Sequence, residues 1–146
     1  MQSISTPRIL CIDDYSASSN LIDMLLYIKR CEYDFSTANT PTRALKLLAA
    51  QKFDLYILEY ELPEMNGFQL CRKIRQMDGQ TPILFFTGTA PKCDRETAFT
   101  AGATEYLVKP ANLEQITLTI RRLLGEIDLN ATTLAQSTSN FTATRF

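Results

Sequence analysis

Phe53–Leu70 reads FDLYILEYELPEMNGFQL. Leu55–Leu58 is a short apolar run, of the length of a buried strand rather than a helix. It ends on a carboxylate, Glu59. Leu62-Pro63-Glu64-Met65-Asn66-Gly67 then reads as a loop, because proline and glycine punctuate the chain. A helix-period pattern follows, with Phe68, Cys71 and Ile74 inward. Strand, acid, loop and helix form a unit, and the same unit recurs in both directions along the chain.

Upstream, Arg8–Ile12 (RILCI) is a similar apolar run, and Asp13 and Asp14 follow it. Leu21, Ile22, Leu25 and Ile28 fall on one helical face of a segment from about Ser16 to Lys29. Tyr33–Ala38 alternates and reads as a strand. Thr40 followed by Pro41 predicts an N-cap with proline at the first helical position. The helix after it carries Ala44, Leu45, Leu47 and Leu48.

Downstream, Pro82 opens the run Ile83–Phe86, which ends at Thr87-Gly88. A polar, weakly patterned stretch leads to Ala101-Gly102-Ala103, where the glycine suits a helix C-terminus. Tyr106–Val108 is the fifth run and ends at Lys109-Pro110. A last helix from about Asn112 to Leu124 places Leu113, Ile116, Ile120 and Leu123 on one side, and Gly125 closes it. Strand and helix thus alternate five times. That predicts an α/β fold with a parallel sheet covered on both faces, and chemistry beyond the carboxyl ends of the strands.

The 146 residues suit one domain, and 45% hydrophobic residues suffice for a core without metal or disulfide staples. A formal net charge of −1 gives no global field for nucleic acid. No apolar stretch is long enough to span a membrane, and MQSISTPR lacks the apolar core of a signal peptide. The four cysteines, Cys11, Cys31, Cys71 and Cys93, are widely and irregularly spaced, as for reduced, buried thiols. A cytoplasmic location is expected. With no histidine in the chain, His-based acid–base chemistry and a phosphohistidine are excluded. Residues 1–125 are read as one domain. Residues 126–146, rich in Thr, Ser, Ala and Asn, are read as a short mobile tail without an output domain; the alternative is a docking peptide using Leu134, Phe141 and Phe146.

The polar residues at the run ends matter most. Asp13 and Asp14 follow the first run, Glu59 the third, Thr87 the fourth and Lys109 the fifth. A parallel sheet would gather them at one edge. Carboxylates packed together repel and need a cation nearby. Mg2+, which takes one or two carboxylates plus waters, is one candidate, and Lys109 is the other.

These pieces together resemble the receiver domains of bacterial response regulators. The matching stretches are ILCIDD, FDLYILEYELPEMNGFQL, PILFFTGTA and GATEYLVKP, within about residues 7–125. The resemblance implies a flavodoxin-like, doubly wound five-stranded parallel sheet in the order 2-1-3-4-5. It implies that Asp13, Asp14, the residue at position 59 and the backbone carbonyl of Glu61 surround a Mg2+ site. Thr87 and Lys109 would contact a phosphoryl group, and Tyr106 matches the aromatic switch position. A cis Lys109–Pro110 bond is also implied. The partners would be signalling proteins, a sensor kinase or a downstream target, bound through the fourth helix, fifth strand and fifth helix. No nucleic acid or membrane partner is expected, and the chain is not read as an enzyme.

One position departs from the family. The phosphate-accepting aspartate should lie five residues after Asp54 and four before Pro63, and both counts land on Glu59. The extra methylene moves the carboxylate outward by about 1.5 Å. Phosphoryl transfer depends on in-line positioning, and about 1 Å of misplacement can cost on the order of 10²-fold in rate. The expectation is an adaptor-like receiver whose ordinary phosphorylation is lost or very slow and whose Mg2+ binding is weak or absent. The alternatives are a receiver that is still phosphorylated with Mg2+, and a Mg2+-dependent phosphohydrolase. Two consequences compete: Glu59 mimics the phosphorylated state by its negative charge, or it pairs with Lys109 and holds the pocket in one state; the second is preferred, because a local ion pair needs no external guest.

Overall fold

The structure is a computed structural model and describes residues 5–14, 30, 32–88 and 93–127. Five strands, β1 (Arg8–Ile12), β2 (Asp34–Ala38), β3 (Leu55–Leu58), β4 (Ile83–Thr87) and β5 (Glu105–Val108), form one sheet in the order β2-β1-β3-β4-β5. Every pairing is parallel. The described helices are α1 (Pro41–Ala50), α2 (Gly67–Met77), α3 (Arg95–Ala101) and α4 (Leu113–Leu123). This is the predicted doubly wound order. The helical face expected over residues 16–29, Cys31 and the tail beyond residue 127 lie outside the described residues. The fourth and fifth helical segments of the sequence are therefore α3 and α4.

Strand alternation sorts the core into two layers. Leu10, Ile12, Tyr56, Leu58, Ile83, Phe85 and Tyr106 pack with α1, α2 and α3. Ile9, Cys11, Leu55, Ile57, Leu84, Phe86 and Leu107 pack with Ile116 and Ile120 of α4. Coverage on both faces explains why β3 and β4 are buried at every position and apolar but for the last residue of β4, Thr87.

Local signals account for the helix starts. The Thr40 hydroxyl accepts from Arg43 N at 3.1 Å, with Pro41 in the first turn of α1. Asn66 and Gln69 form a reciprocal capping box on α2. Asp94 caps α3, whose buried residues are only Ala98 and Ala101, so its periodicity is faint in the sequence. On α4, Ile116 and Ile120 are buried as expected, but Leu113 is 45% exposed. It sits in the first turn, just after the Pro110 turn, while Thr119 takes a buried place and bonds to Gln115 O. The Lys109–Pro110 peptide is cis. Cys11, Cys71 and Cys93 are free thiols and buried.

The β3–α2 loop is built around a close approach. Gly67 N donates to Tyr60 O at 2.7 Å. A Cβ on Gly67 would lie 2.5 Å from Glu59 O and 2.9 Å from Tyr60 Cα, both backbone atoms. Glu64, with φ 71°, turns the loop so that its carboxylate accepts from Thr42 N and Oγ1 at the start of α1. The Gly67→Ala variant should lose about 1–3 kcal/mol of unfolding free energy in urea, in the range of overpacked sites, because backbone must move to admit the methyl.

Candidate functional site

Backbone hydrogen bonds hold the residues just beyond the strands in register. Asp13 N donates to Ala38 O, Glu59 N to Ile12 O and Lys109 N to Thr87 O, at 3.1, 3.0 and 2.8 Å. Three side chains from distant parts of the chain thereby converge at the carboxyl edge of the sheet. Lys109 Nζ lies 2.8 Å from Asp13 Oδ2 and 3.1 Å from Glu59 Oε2. All three side chains are nearly buried, at 12%, 8% and 9% exposure. Lys109 Nζ also lies 5.3 Å from the centre of the Phe86 ring, on the α4 side of the sheet.

The Glu59 carboxylate is engaged at both oxygens. Oε1 accepts from Tyr60 N at 2.6 Å, and Oε2 accepts from Gly88 N at 3.2 Å as well as facing Lys109. These backbone donors were not anticipated from the sequence, where every residue carries the same N–H. The expected Glu59–Lys109 contact is present, but the shorter contact of the lysine is with Asp13.

Burial by itself would lower the pKa of Lys109. The hydrogen bond and charge of Asp13, followed by those of Glu59, outweigh it and raise the net value above the ordinary 10.5. The Cys11 thiol beneath the cluster is pushed well up, first by burial and then by the charge of Asp13.

Thr87 and Tyr106 lie toward the other layer. Thr87 is fully buried at the end of β4. Burial pushes the nearby Cys93 thiol up to about 12, while the Thr87 side chain acts in the lowering direction. The Tyr106 ring is inside, and its hydroxyl donates to Cys93 O. Cys93 was not anticipated as part of the site; its position within a weakly patterned stretch gave no signal. Asp14 is exposed and, with Asn39, Thr40, Tyr60, Glu61 and Asn66, lines an adjoining groove.

As arranged, these residues do not fit a Mg2+ site. The ammonium lies against both near-buried carboxylates, and no buried side-chain polar atom among the described residues lacks a hydrogen-bond partner. Among the described residues, no three Asp, Glu, Cys or His side chains are grouped to hold a metal ion.

Residues 9–121 match the profile of the response regulator receiver domain. The chain belongs to this family. It is 33% identical over 117 residues to the transcriptional regulatory protein TrcR of Mycobacterium tuberculosis, covering 80% of this chain and 45% of that protein. It is 29% identical to the regulatory protein PhoP of Bacillus subtilis, over 85% of this chain and 51% of that one. The chain thus spans about half the length of these curated relatives. Among solved structures, a CheY-like receiver domain protein from Methanospirillum hungatei superposes with a TM-score of 0.74 at 26% identity, over 84% of this chain and 96% of that one. The chemotaxis response regulator CheY4 of Vibrio cholerae gives 0.69 at 29% identity, over 82% and 99%. Receiver domains act in two-component signalling, with sensor kinases and output domains as partners, and generally use Mg2+ for phosphorylation.

Removing the ammonium should strand two nearly buried carboxylates. Lys109→Met should therefore cost about 3–5 kcal/mol near neutral pH, read by urea unfolding. The raised pKa sets the pH window. The contribution of Lys109 is complete below about pH 10.5, the ordinary lysine value, and is lost as pH rises through its higher folded value. On the alkaline side, the stability gap between wild type and Lys109→Met should begin to narrow only above pH 10.5. Separately, Tyr106→Phe strips the Cys93 carbonyl of its donor and should cost about 1–3 kcal/mol in the same assay.

Proposed function

We propose that this receiver works through protein contacts with its pocket held in one state, and that ordinary phosphorylation at position 59 is lost or very slow. The observation that carries the reading is the engagement of the Glu59 carboxylate by Tyr60 N–H, Gly88 N–H and Lys109. A nucleophilic oxygen must offer a lone pair in line with the incoming phosphoryl group. Here both oxygens already accept donors, and the extra methylene has carried them past the aspartate position.

The same contacts favour a held pocket over a faithful copy of phosphorylation. One carboxylate brings a single charge, whereas a phosphoryl group brings about −1.5 to −2 and three acceptor oxygens. Glu59 meets the lysine, while Thr87 is fully buried at the end of β4. We assign Asp13, Asp14, Glu59 and the Glu61 carbonyl to the altered acid corner, and Thr87, Tyr106 and Lys109 to the switch.

The partner face in this proposal is α3, β5 and α4. Glu105 of β5 pairs with Arg95 of α3 at 3.6 Å and with Arg122 of α4 at 2.8 Å, so the three elements are tied side by side. Val108 and Leu113, 41% and 45% exposed, give that face apolar contact surface. A sensor kinase or a downstream signalling protein is the fitting partner class.

The test is to incubate wild type and Glu59→Asp with a small phosphodonor and Mg2+ and weigh both. Wild type should gain no phosphoryl mass, and Glu59→Asp should gain one group. A phosphorylated wild type would refute the held pocket and favour the conventional switch.

A further inference from the structure

β2 is the edge of the sheet beyond β1, and among the described residues its ladder is with β1 alone. An edge strand turns backbone N–H and C=O groups outward, which makes it a template for a further strand. Such edges are usually blunted by charge, proline or a bulge. β2 reads DFSTA, and after Asp34 at its start it carries neither charge nor proline. Its register with β1 runs unbroken from Asp34 to Ala38. Tyr33 and Phe35 are half-buried beside it.

The end of α4 is delivered to this edge. Leu123 and Leu124 pack on the same core layer as Tyr33 and Phe35. Gly125, at φ 75°, turns the chain out of α4. The Tyr33 hydroxyl then donates to Glu126 Oε2 at 2.7 Å. The chain thus leaves α4 beside the start of β2. The hand of the connection agrees. α1, α2 and α3 each lead to a strand nearer β5 and pack on one face, whereas α4 packs on the other. A return from β5 over α4 to the far side of β2 reverses both direction and face, so the crossover keeps the same right hand.

We propose that residues 131–135 (ATTLA) of this chain dock on the open edge of β2 as a sixth, parallel strand. The loop before them, residues 127–130, has four residues, an ordinary length between helix and strand. The segment matches the five residues of β2 and contains the β-branched Thr132 and Thr133. No charged residue falls between Asp128 and Arg145, so docking buries no charge. Alternation puts Leu134 on one face and Ala131, Thr133 and Ala135 on the other. The register that sets Leu134 beside Phe35 and Leu124 turns the small residues toward the side of Ser36 and Ala38.

The experiment is nuclear magnetic resonance on the full chain, as wild type, Thr133→Pro and Thr142→Pro. Wild type should give cross-strand Overhauser contacts of the parallel pattern between residues 131–135 and β2. The outward amides of β2 should exchange in heavy water at least about tenfold faster in Thr133→Pro, because proline cannot donate to the new ladder. Thr142→Pro should exchange at the wild-type rate. Equal exchange in wild type and Thr133→Pro would overturn the proposal. So would release by Thr142→Pro instead, which would seat residues 141–146 on the edge. Protection that grows with protein concentration would assign the edge to a second copy of the chain and overturn it too. Should Thr133→Pro fail to fold, the wild-type contacts decide alone, and their absence refutes the added strand.

Discussion

The Lys109 ammonium, held between two nearly buried carboxylates, is the constraint on which the rest of the pocket depends. Taking three charges out of water costs several kcal/mol per ion, and geometry must recover that cost. The sheet supplies the geometry. Each charged residue follows directly on a strand, and its backbone N–H extends the ladder to the neighbouring strand. A register slip of one residue would send the whole charged set to the opposite face. The ion cluster and the apolar strands therefore specify the same register, since the runs that bury Ile9, Ile57 and Leu107 also deliver Asp13, Glu59 and Lys109.

At position 59, one methylene changes the task of the carboxylate. Its reach lets Oε2 meet both Gly88 N–H and the lysine while Oε1 folds back on Tyr60 N. These are interactions within the pocket, and they need no guest. The loop beneath leaves little freedom for a different posture, because Gly67 packs against the Glu59 carbonyl with no room for a side chain. Glu64 ties the far part of the loop to the first turn of α1. The glutamate is thus fixed at its backbone and engaged at its tip.

The fold was legible because four strands are short apolar runs ending in a polar residue, the fifth, β2, alternates, and Thr40-Pro41 announces its helix directly. Asn66-Gly67 read only as the end of a loop, and its capping role emerged in the structure. The short α3 was the faint element, since it buries two alanines and exposes charged neighbours. Leu113 misled the helical pattern, because periodicity records which residues share a side and not how far the sheet beneath them extends. Within the site, the family pattern pointed to the charged side chains. It could not reveal that Lys109 would favour Asp13 in distance, nor that backbone N–H groups of Tyr60 and Gly88 would finish the coordination of Glu59. Those outcomes depend on loop paths of tenths of an ångström, set by Gly67 and the turn at Glu64.

The two layers of the core also separate the charge from its readout. Asp13, Glu59 and Lys109 continue the parity of the strand residues that pack on α4, whereas Thr87 and Tyr106 continue the parity that packs on α1, α2 and α3. The end of β4 touches both groups. Gly88 N donates to Glu59, Thr87 O accepts from Lys109 N, and on the other side the Cys93 carbonyl accepts from Tyr106. A change of charge at position 59 therefore acts on a backbone amide one residue away from the buried Thr87 hydroxyl. Glu59 bonds that amide, so the end of β4 is tied to the charged side, while Tyr106 is tied by its hydroxyl to the Cys93 carbonyl on the other. In the held-pocket proposal, the proposed partner face beside Tyr106 is presented in the arrangement that the glutamate imposes.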